Sequence, residues 1–364
     1  SGLYSFAQGT VYEPSEAPVA VVQIGEYAPP CNPSSCTTLT ADYFKIKPTN
    51  AYVVKPLTYQ NLFSYTGGTV LNANGDDNFS SVFNLPFKFC FYGQIYDKVI
   101  IGTNGFISFN AALALQPTGY IFNTTIPSTS TPEKFKNAIY GVYQDTNIAS
   151  PPVQNLTIQN VNYYTGGVAP NRYFVANFNR LPQFSCGGSL GNLDQMPDTD
   201  SGLQTTQIVI YETTNIIDVI VYKRIPCMSW EQGRGTIGIQ NATGSAGLAP
   251  PGRNTGSWSV LGTAASPSEA WRFIPNGADP NPPLVKLEWF NQAGELIGTG
   301  ESIEVCPDVN QTYKVVATYD RCGQNDKVIV YDEILVEIAD PLPVLDPEDI
   351  NLCTVSLPYT VNVN

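Results

Sequence analysis

Short runs of β-branched and aromatic residues recur along the chain and are cut off by Gly, Pro and Asn. The clearest are 98–101, 106–109, 173–178, 206–211 and 216–222. Such runs read as strands and the breaks between them as turns. No long stretch keeps the period of an amphipathic helix. Asn104-Gly105 lies between two runs and offers the positive φ angles of a tight hairpin turn, and Thr213-Thr214-Asn215 does similar work between two others. Hairpins at this spacing predict an all-β fold, a sandwich or barrel, in place of a parallel sheet with crossover helices.

Proline and glycine thicken over 276–283, leaving too few apolar residues for a strand, and this stretch reads as a linker. Beyond it, 285–290, 302–305, 312–319 and 328–338 form a small set of strands of immunoglobulin-like type. Pro341-Leu342-Pro343 marks a second break. The expected organisation is an N-terminal arm over 1–39, a large β-sandwich over 40–277, an immunoglobulin-like module over 278–341 and, over 342–364, the start of a further module that the natural protein is expected to complete.

Composition narrows the function. Basic residues number 18 against 31 acidic ones, a net charge of −13, which argues against nucleic acid as a partner because phosphate neutralisation needs clustered Lys and Arg. Hydrophobic residues make up 43% of the chain and aromatics 12%, enough for sizeable cores. Histidine is absent, which excludes every triad built on it and removes the commonest metal ligand. The longest nearly uninterrupted apolar run, 216–222, contains Asp218 and is far short of the roughly 18 residues that cross a bilayer, so no membrane span is expected.

The 8 cysteines favour disulfides and an oxidising, extracellular setting over zinc, since paired C-x-x-C motifs are missing. Cys31 and Cys36 flank turn-forming residues and suit a small closed loop; Cys186 with Cys227 and Cys306 with Cys322 are plausible further bridges, although spacing does not fix connectivity. Cys90 sits inside an apolar strand, and Cys353 lies near the end, with a partner conceivable beyond Asn364.

Several motifs in order carry a resemblance. Asp76-Asp77-Asn78-Phe79-Ser80, Leu85-Pro86-Phe87-Lys88-Phe89-Cys90-Phe91-Tyr92-Gly93 and Ile101-Gly102-Thr103-Asn104-Gly105-Phe106-Ile107-Ser108-Phe109 resemble the core signature of nidogen-like β-sandwich domains. Gly238-Ile239-Gln240-Asn241-Ala242-Thr243-Gly244, Arg253-Asn254-Thr255 and Ala270-Trp271-Arg272-Phe273 extend the likeness to the N-terminal region of Bacteroidota surface proteins. These proteins are exported by type IX secretion and linked to gliding motility, the SprB-type adhesins among them. The likeness covers about 31–275. In such relatives the cysteine matching Cys90 has a partner in the following segment, whereas 111–127 contains none, so the resemblance implies a buried free thiol at Cys90. The sorting domain of the family is not seen in the sequence, so this export route is implied by resemblance alone.

Four candidate sites follow from residue type. Asn72, Asn74, Asp76 and Asp77 place four oxygen-bearing side chains in six residues around Gly75, a density that suits calcium. The bidentate Glu of a full calcium loop is lacking, and a solvated turn fits them better. No cofactor other than calcium is expected. Asp194, Asp198, Asp200, Glu212 and Asp218 are the carboxylates from which a glycosidase pair would have to come, and acidic loops that keep the protein soluble explain them better. Asp145 closes an apolar strand, and a hydrogen-bonded structural role is preferred there to catalysis. Trp230, Trp258 and Trp271 with Arg234, Arg253 and Arg272 suit a stacking platform, with Trp230, Trp258 and Arg253 as the binding candidates, although core packing and cation–π bracing are preferred for them.

The expected function is that of a non-enzymatic adhesin region at the outer end of a surface filament, extracellular and associated with the outer membrane. Its partners would be a surface polysaccharide or protein ligand and other cell-surface or secretion-system proteins. The alternatives are a structural cap or docking module without its own ligand, and an accessory module of a secreted enzyme. Loops at one end of the sandwich would carry the contacts.

Overall fold

The computed structural model describes residues 18–71, 76–148, 159–186 and 203–339. The chain is built almost wholly of antiparallel strands in four sheets. The central sheet has seven: β3 (Tyr52–Leu57), β16 (Glu269–Pro275), β12 (Ile217–Lys223), β11 (Leu203–Tyr211), β10 (Tyr173–Pro182), β9 (Asn160–Gly166) and β4 (Thr69–Val70), in that order. Against one face lies the outer sheet, in the order β14 (Gly247–Leu248), β13 (Arg234–Gln240), β8 (Ala138–Tyr143), β7 (Phe106–Ser108), β6 (Gln94–Gly102) and β5 (Phe83–Phe91), with β15 (Gly256–Ser257) paired to β13. Phe89, Phe91, Ile101, Ile139, Phe174, Ile208, Ile217, Val219 and Ile237 fill the space between the two sheets.

Both faces of the central sheet are covered, which is why its sequence departs from simple alternation. In β11 every residue is buried: Ile208 and Ile210 point into the first core, while Val209 and Tyr211 join a second. That second core is roofed by two further sheets. One is β18 (Leu296–Thr299), β17 (Val285–Phe290), β20 (Gln311–Asp320) and β21 (Lys327–Val336); the other is β1 (Val22–Ile24), β2 (Thr37–Tyr43) and β19 (Ser302–Val305). Trp289, Val315, Ala317 and Tyr319 from the four-stranded sheet meet Val22, Leu39 and Ala41 from the three-stranded one. The strands beyond the linker therefore do not close a core by themselves. The segment expected to be an N-terminal arm supplies β1 and β2, and β2 pairs with β19 from Thr37↔Val305 to Thr40↔Ser302. The linker is tied down at its start, where Asn276 N and Gly277 N donate to the carbonyls of Ala51 and Pro48, and 278–283 are exposed.

The cysteines correct three expectations. Cys186 bonds Cys227, as spacing allowed. Cys36, however, bonds Cys306, and Cys90 bonds Cys322. Cys31 and Cys36 thus do not close a loop on one another, Cys306 and Cys322 do not bridge a hairpin, and Cys90 is no free thiol. Cys31 is disulfide-bonded as well, to a partner outside the described residues, where Cys353 also lies. Each overturned pairing failed for one reason: residues 232 to 270 apart in sequence are neighbours only because β2 pairs with β19 and the β20–β21 turn docks on the large sandwich.

A third core lies outside the outer sheet. Phe79, Phe106, Phe122, Phe135, Tyr140 and Tyr143 cluster under the excursion between β7 and β8. Tyr140 donates its hydroxyl to the Phe135 carbonyl there.

Candidate functional site

At one end of the large sandwich the chain leaves the ladders to cross between sheets, and six loops converge. The β6–β7 hairpin turns through Thr103, Asn104 and Gly105, with Gly102 paired to Phe106. Gly105 has φ +86°, and a Cβ there would clash with the Val142 carbonyl, so glycine is required. Asn104 is fully buried and serves as a hub. Its Nδ2 donates to Asp77 Oδ1 at 2.6 Å and to the Gly119 carbonyl at 3.0 Å, while its Oδ1 accepts from Thr146 N at 3.0 Å. One side chain thereby fixes the loop before β5, the turn at 119 and the segment after β8.

This arrangement brings Asp145 to Asp76 and Asp77, with one carboxylate oxygen of each within 4.8 Å of the others. Asp145 is 7% exposed. Its Oδ1 and that of Asp76 are buried without a hydrogen-bond partner. Burial, and then the neighbouring carboxylates, push the Asp145 carboxyl up to about 7 and that of Asp76 up to about 6. The Tyr143 phenol is driven well above its ordinary value by burial and by Asp77 and Asp145. The indole of Trp230 approaches Asp145 without reaching hydrogen-bond geometry, and its Nε1 is likewise buried and unpartnered.

Trp230 is held there from two directions. Phe184 N donates to the Asp145 carbonyl at 3.0 Å, and the Cys186–Cys227 disulfide ties the turn after β10 to the loop that carries Trp230. Gln183 reinforces the link, donating to the Ile225 carbonyl and accepting from Cys227 N at 3.3 Å. Phe184 packs edge-on against Trp230 with ring centres 4.7 Å apart, and Tyr120 lies 6.1 Å away on the same ring. Tyr120 is 47% and Phe184 39% exposed, so the group forms an open aromatic surface beside the carboxylates.

The other sequence candidates lie elsewhere. Trp258 is clasped between the guanidinium groups of Arg224 and Arg253, 4.2 and 4.4 Å from its ring centre. Arg253 is engaged by Glu269 through two bonds of 2.8 and 2.6 Å, and Trp271 donates to the same carboxylate at 3.1 Å. This is a brace, and it does not include Trp230. Glu212 accepts from Arg172 at 2.8 and 2.6 Å and from Arg321 at 2.9 Å. Asp218 is bound bidentately by Arg272 at 2.6 and 2.7 Å and by the Tyr211 hydroxyl at 2.8 Å. Both carboxylates are buried in ion pairs and face no cleft. Asn72, Asn74, Asp194, Asp198 and Asp200 lie outside the described residues.

Sequence reasoning singled out Asp76, Asp77, Asp145, Asn104 and Trp230, each for a separate reason. It missed that they share one site, as well as the contributions of Tyr120 and Phe184. The clue available was order alone: Asp76-Asp77, Asn104-Gly105 and Asp145 each stand in a break beside a strand run.

The geometry of two facing sheets with these motifs at their ends has a counterpart among known families. The NIDO related family pattern matches residues 51–274, more than half of the chain. The chain belongs to the NIDO-related family. The NIDO-related region coincides with the central and outer sheets, from β3 to β16, and contains all the site residues described above. No curated protein and no solved structure matches the chain. Disulfide bonding agrees with an extracellular type of domain. Among the described residues no helix is long and apolar enough to cross a membrane.

Proposed function

We propose that this NIDO-related region is the binding part of an extracellular surface adhesin, of the type IX-secreted, gliding-associated SprB type that its motifs resemble. One observation carries the reading. The exposed aromatic group of Tyr120, Phe184 and Trp230, with its adjoining carboxylates, sits at the end of the large sandwich opposite the one stapled to the second sandwich. Cys90, at the stapled end, is one nine-residue strand away from that surface, roughly 30 Å. A rigid scaffold that displays aromatic and polar loops at one end is arranged for contact with a ligand. Rigid rings offer contact area at small entropic cost, and they suit a surface polysaccharide or a protein.

The test is attachment. Tyr120→Ala with Trp230→Ala should abolish binding of cells displaying the protein to their surface substrate, with export and thermal midpoint unchanged. Attachment at the unaltered level in that variant would remove the aromatic surface from the function.

A second reading, a docking module without an external ligand, draws on a different surface. Ile329, Tyr331 and Leu335 stand exposed on the outer face of β21. Loss of assembly with other surface proteins on changing these three to Ser, with attachment intact, would favour it.

A further inference from the structure

We propose that Asp76, Asp77 and Asp145 together bind one calcium ion. The spacing of the ligands fits. One oxygen from each carboxylate lies within 4.8 Å of the others, and two oxygens each about 2.4 Å from a shared calcium stand at most about 4.8 Å apart. The donors are all hard oxygens, with neither histidine nor thiolate among them, which selects calcium over the transition metals. They come from the loop before β5 and the end of β8, an irregular cradle that suits the flexible coordination of calcium better than the strict octahedron of magnesium.

The second line of argument is what these groups lack. Asp145 is more than nine-tenths buried, offers one oxygen to the cluster and leaves its Oδ1 without a partner, and Asp76 Oδ1 is also buried without a partner. Among the described residues, none of the three carboxylates forms an ion pair with Lys or Arg, although every other buried carboxylate in the sandwich does: Glu212 has two arginines and Asp218 has one. A buried carboxylate needs a counter-charge or hydrogen bonds, and three side by side need it more. Asn104 supplies one bond, to Asp77 Oδ1, while Asp76 Oδ1 and Asp145 Oδ1 are left without a partner. A divalent cation satisfies them at once, with water completing its shell.

The site is non-local. The dense run expected from sequence contributes Asp76 and Asp77, and the third ligand is Asp145, some seventy residues later. Calcium would therefore fasten the loop before β5 to the segment that carries Asp145, next to Trp230. This inference rests on the carboxylate geometry alone and not on the adhesive reading, so either can fail without the other.

The experiment is calorimetric titration of the full chain, stripped with EDTA, with calcium chloride and in parallel with magnesium chloride, together with thermal midpoints. The expected result is one calcium per chain, a raised midpoint in calcium, weaker binding of magnesium, and affinity reduced by about tenfold or more in both Asp145→Asn and Asp77→Asn. Asp97→Asn, on the exposed part of β6, should bind as the parent does. Asp145→Asn removes an unpaired charge and should fold in EDTA at least as well as the stripped parent; Asp77→Asn provides the independent variant. Absence of calcium heat and of a midpoint shift at millimolar calcium, unaltered affinity in both variants, or magnesium binding as tight as calcium would each overturn the assignment.

Discussion

Cys90 and Cys322 are disulfide-bonded across 232 residues of chain, and Asn215 locks the backbone on either side of the bond. The Asn215 Oδ1 accepts from Cys90 N at 2.8 Å, and its Nδ2 donates to the Arg321 carbonyl at 2.9 Å. The bond joins β5 of the NIDO-related sandwich to the β20–β21 turn of the four-stranded sheet. Its removal releases a long loop in the unfolded chain, a cost of about 2–5 kcal/mol. The paired change Cys90→Ala with Cys322→Ala should lower the calorimetric midpoint and expose 276–284 to limited proteolysis. Unchanged melting and cleavage would show that packing alone holds the two sandwiches together.

Asn104→Ala should destabilise the large sandwich by about 1–3 kcal/mol, because it strands the buried Thr146 N–H and removes a donor from Asp77. Denaturant unfolding measures it. A loss as small as that of an exposed Asn→Ala change, such as at Asn61, would mean that the hub bears no load.

Glu212 gives the interface an acid-sensitive element. Burial raises its carboxyl, but the bonds and charge of Arg172 and Arg321 outweigh burial and hold it below its ordinary value of 4.5. A carboxyl depressed in the folded state contributes stability above its unfolded value and loses it as the pH falls through the folded one. The thermal midpoint should therefore drop as pH is taken below about 4.5, and Glu212→Gln should flatten that part of the profile. Profiles of equal slope for variant and parent would assign the acid sensitivity to other groups.

Asp218 and Arg272 form a bidentate pair on neighbouring strands, sealed where the second sandwich covers the central sheet. Arg272→Met alone leaves a buried carboxylate uncompensated and should cost about 3–5 kcal/mol, whereas Asp218→Leu with Arg272→Met should recover most of it. Denaturant unfolding of the two singles and the double closes the cycle. Strict additivity of the singles would show that the pair is not coupled.

The amino-acid sequence by itself determined the all-β class, most strand positions and the turn at Asn104-Gly105. These follow from alternation and turn chemistry between residues close in the chain. The expected strand at 285–290 is β17, and that at 302–305 is β19. The candidate oxygen ligands Asp76 and Asp77 were legible in the same way, as a local density of side-chain type.

What only tertiary structure decided is everything that joins distant segments. Cys36 finds Cys306 because β2 pairs with β19, and no local pattern in 37–43 states which strand it will meet. A buried edge offers the same backbone groups to any partner, and the choice is made by which hydrophobic faces dock. The carboxylate site has the same origin. Asp145 reaches Asp76 and Asp77 because β8 and the loop before β5 end at one level of a two-sheet sandwich, and Trp230 joins them through a disulfide and a glutamine. Residue types fix what each group can do. The packing of sheets fixes which groups do it together, because contact free energy, unlike propensity, depends on neighbours that lie far along the chain.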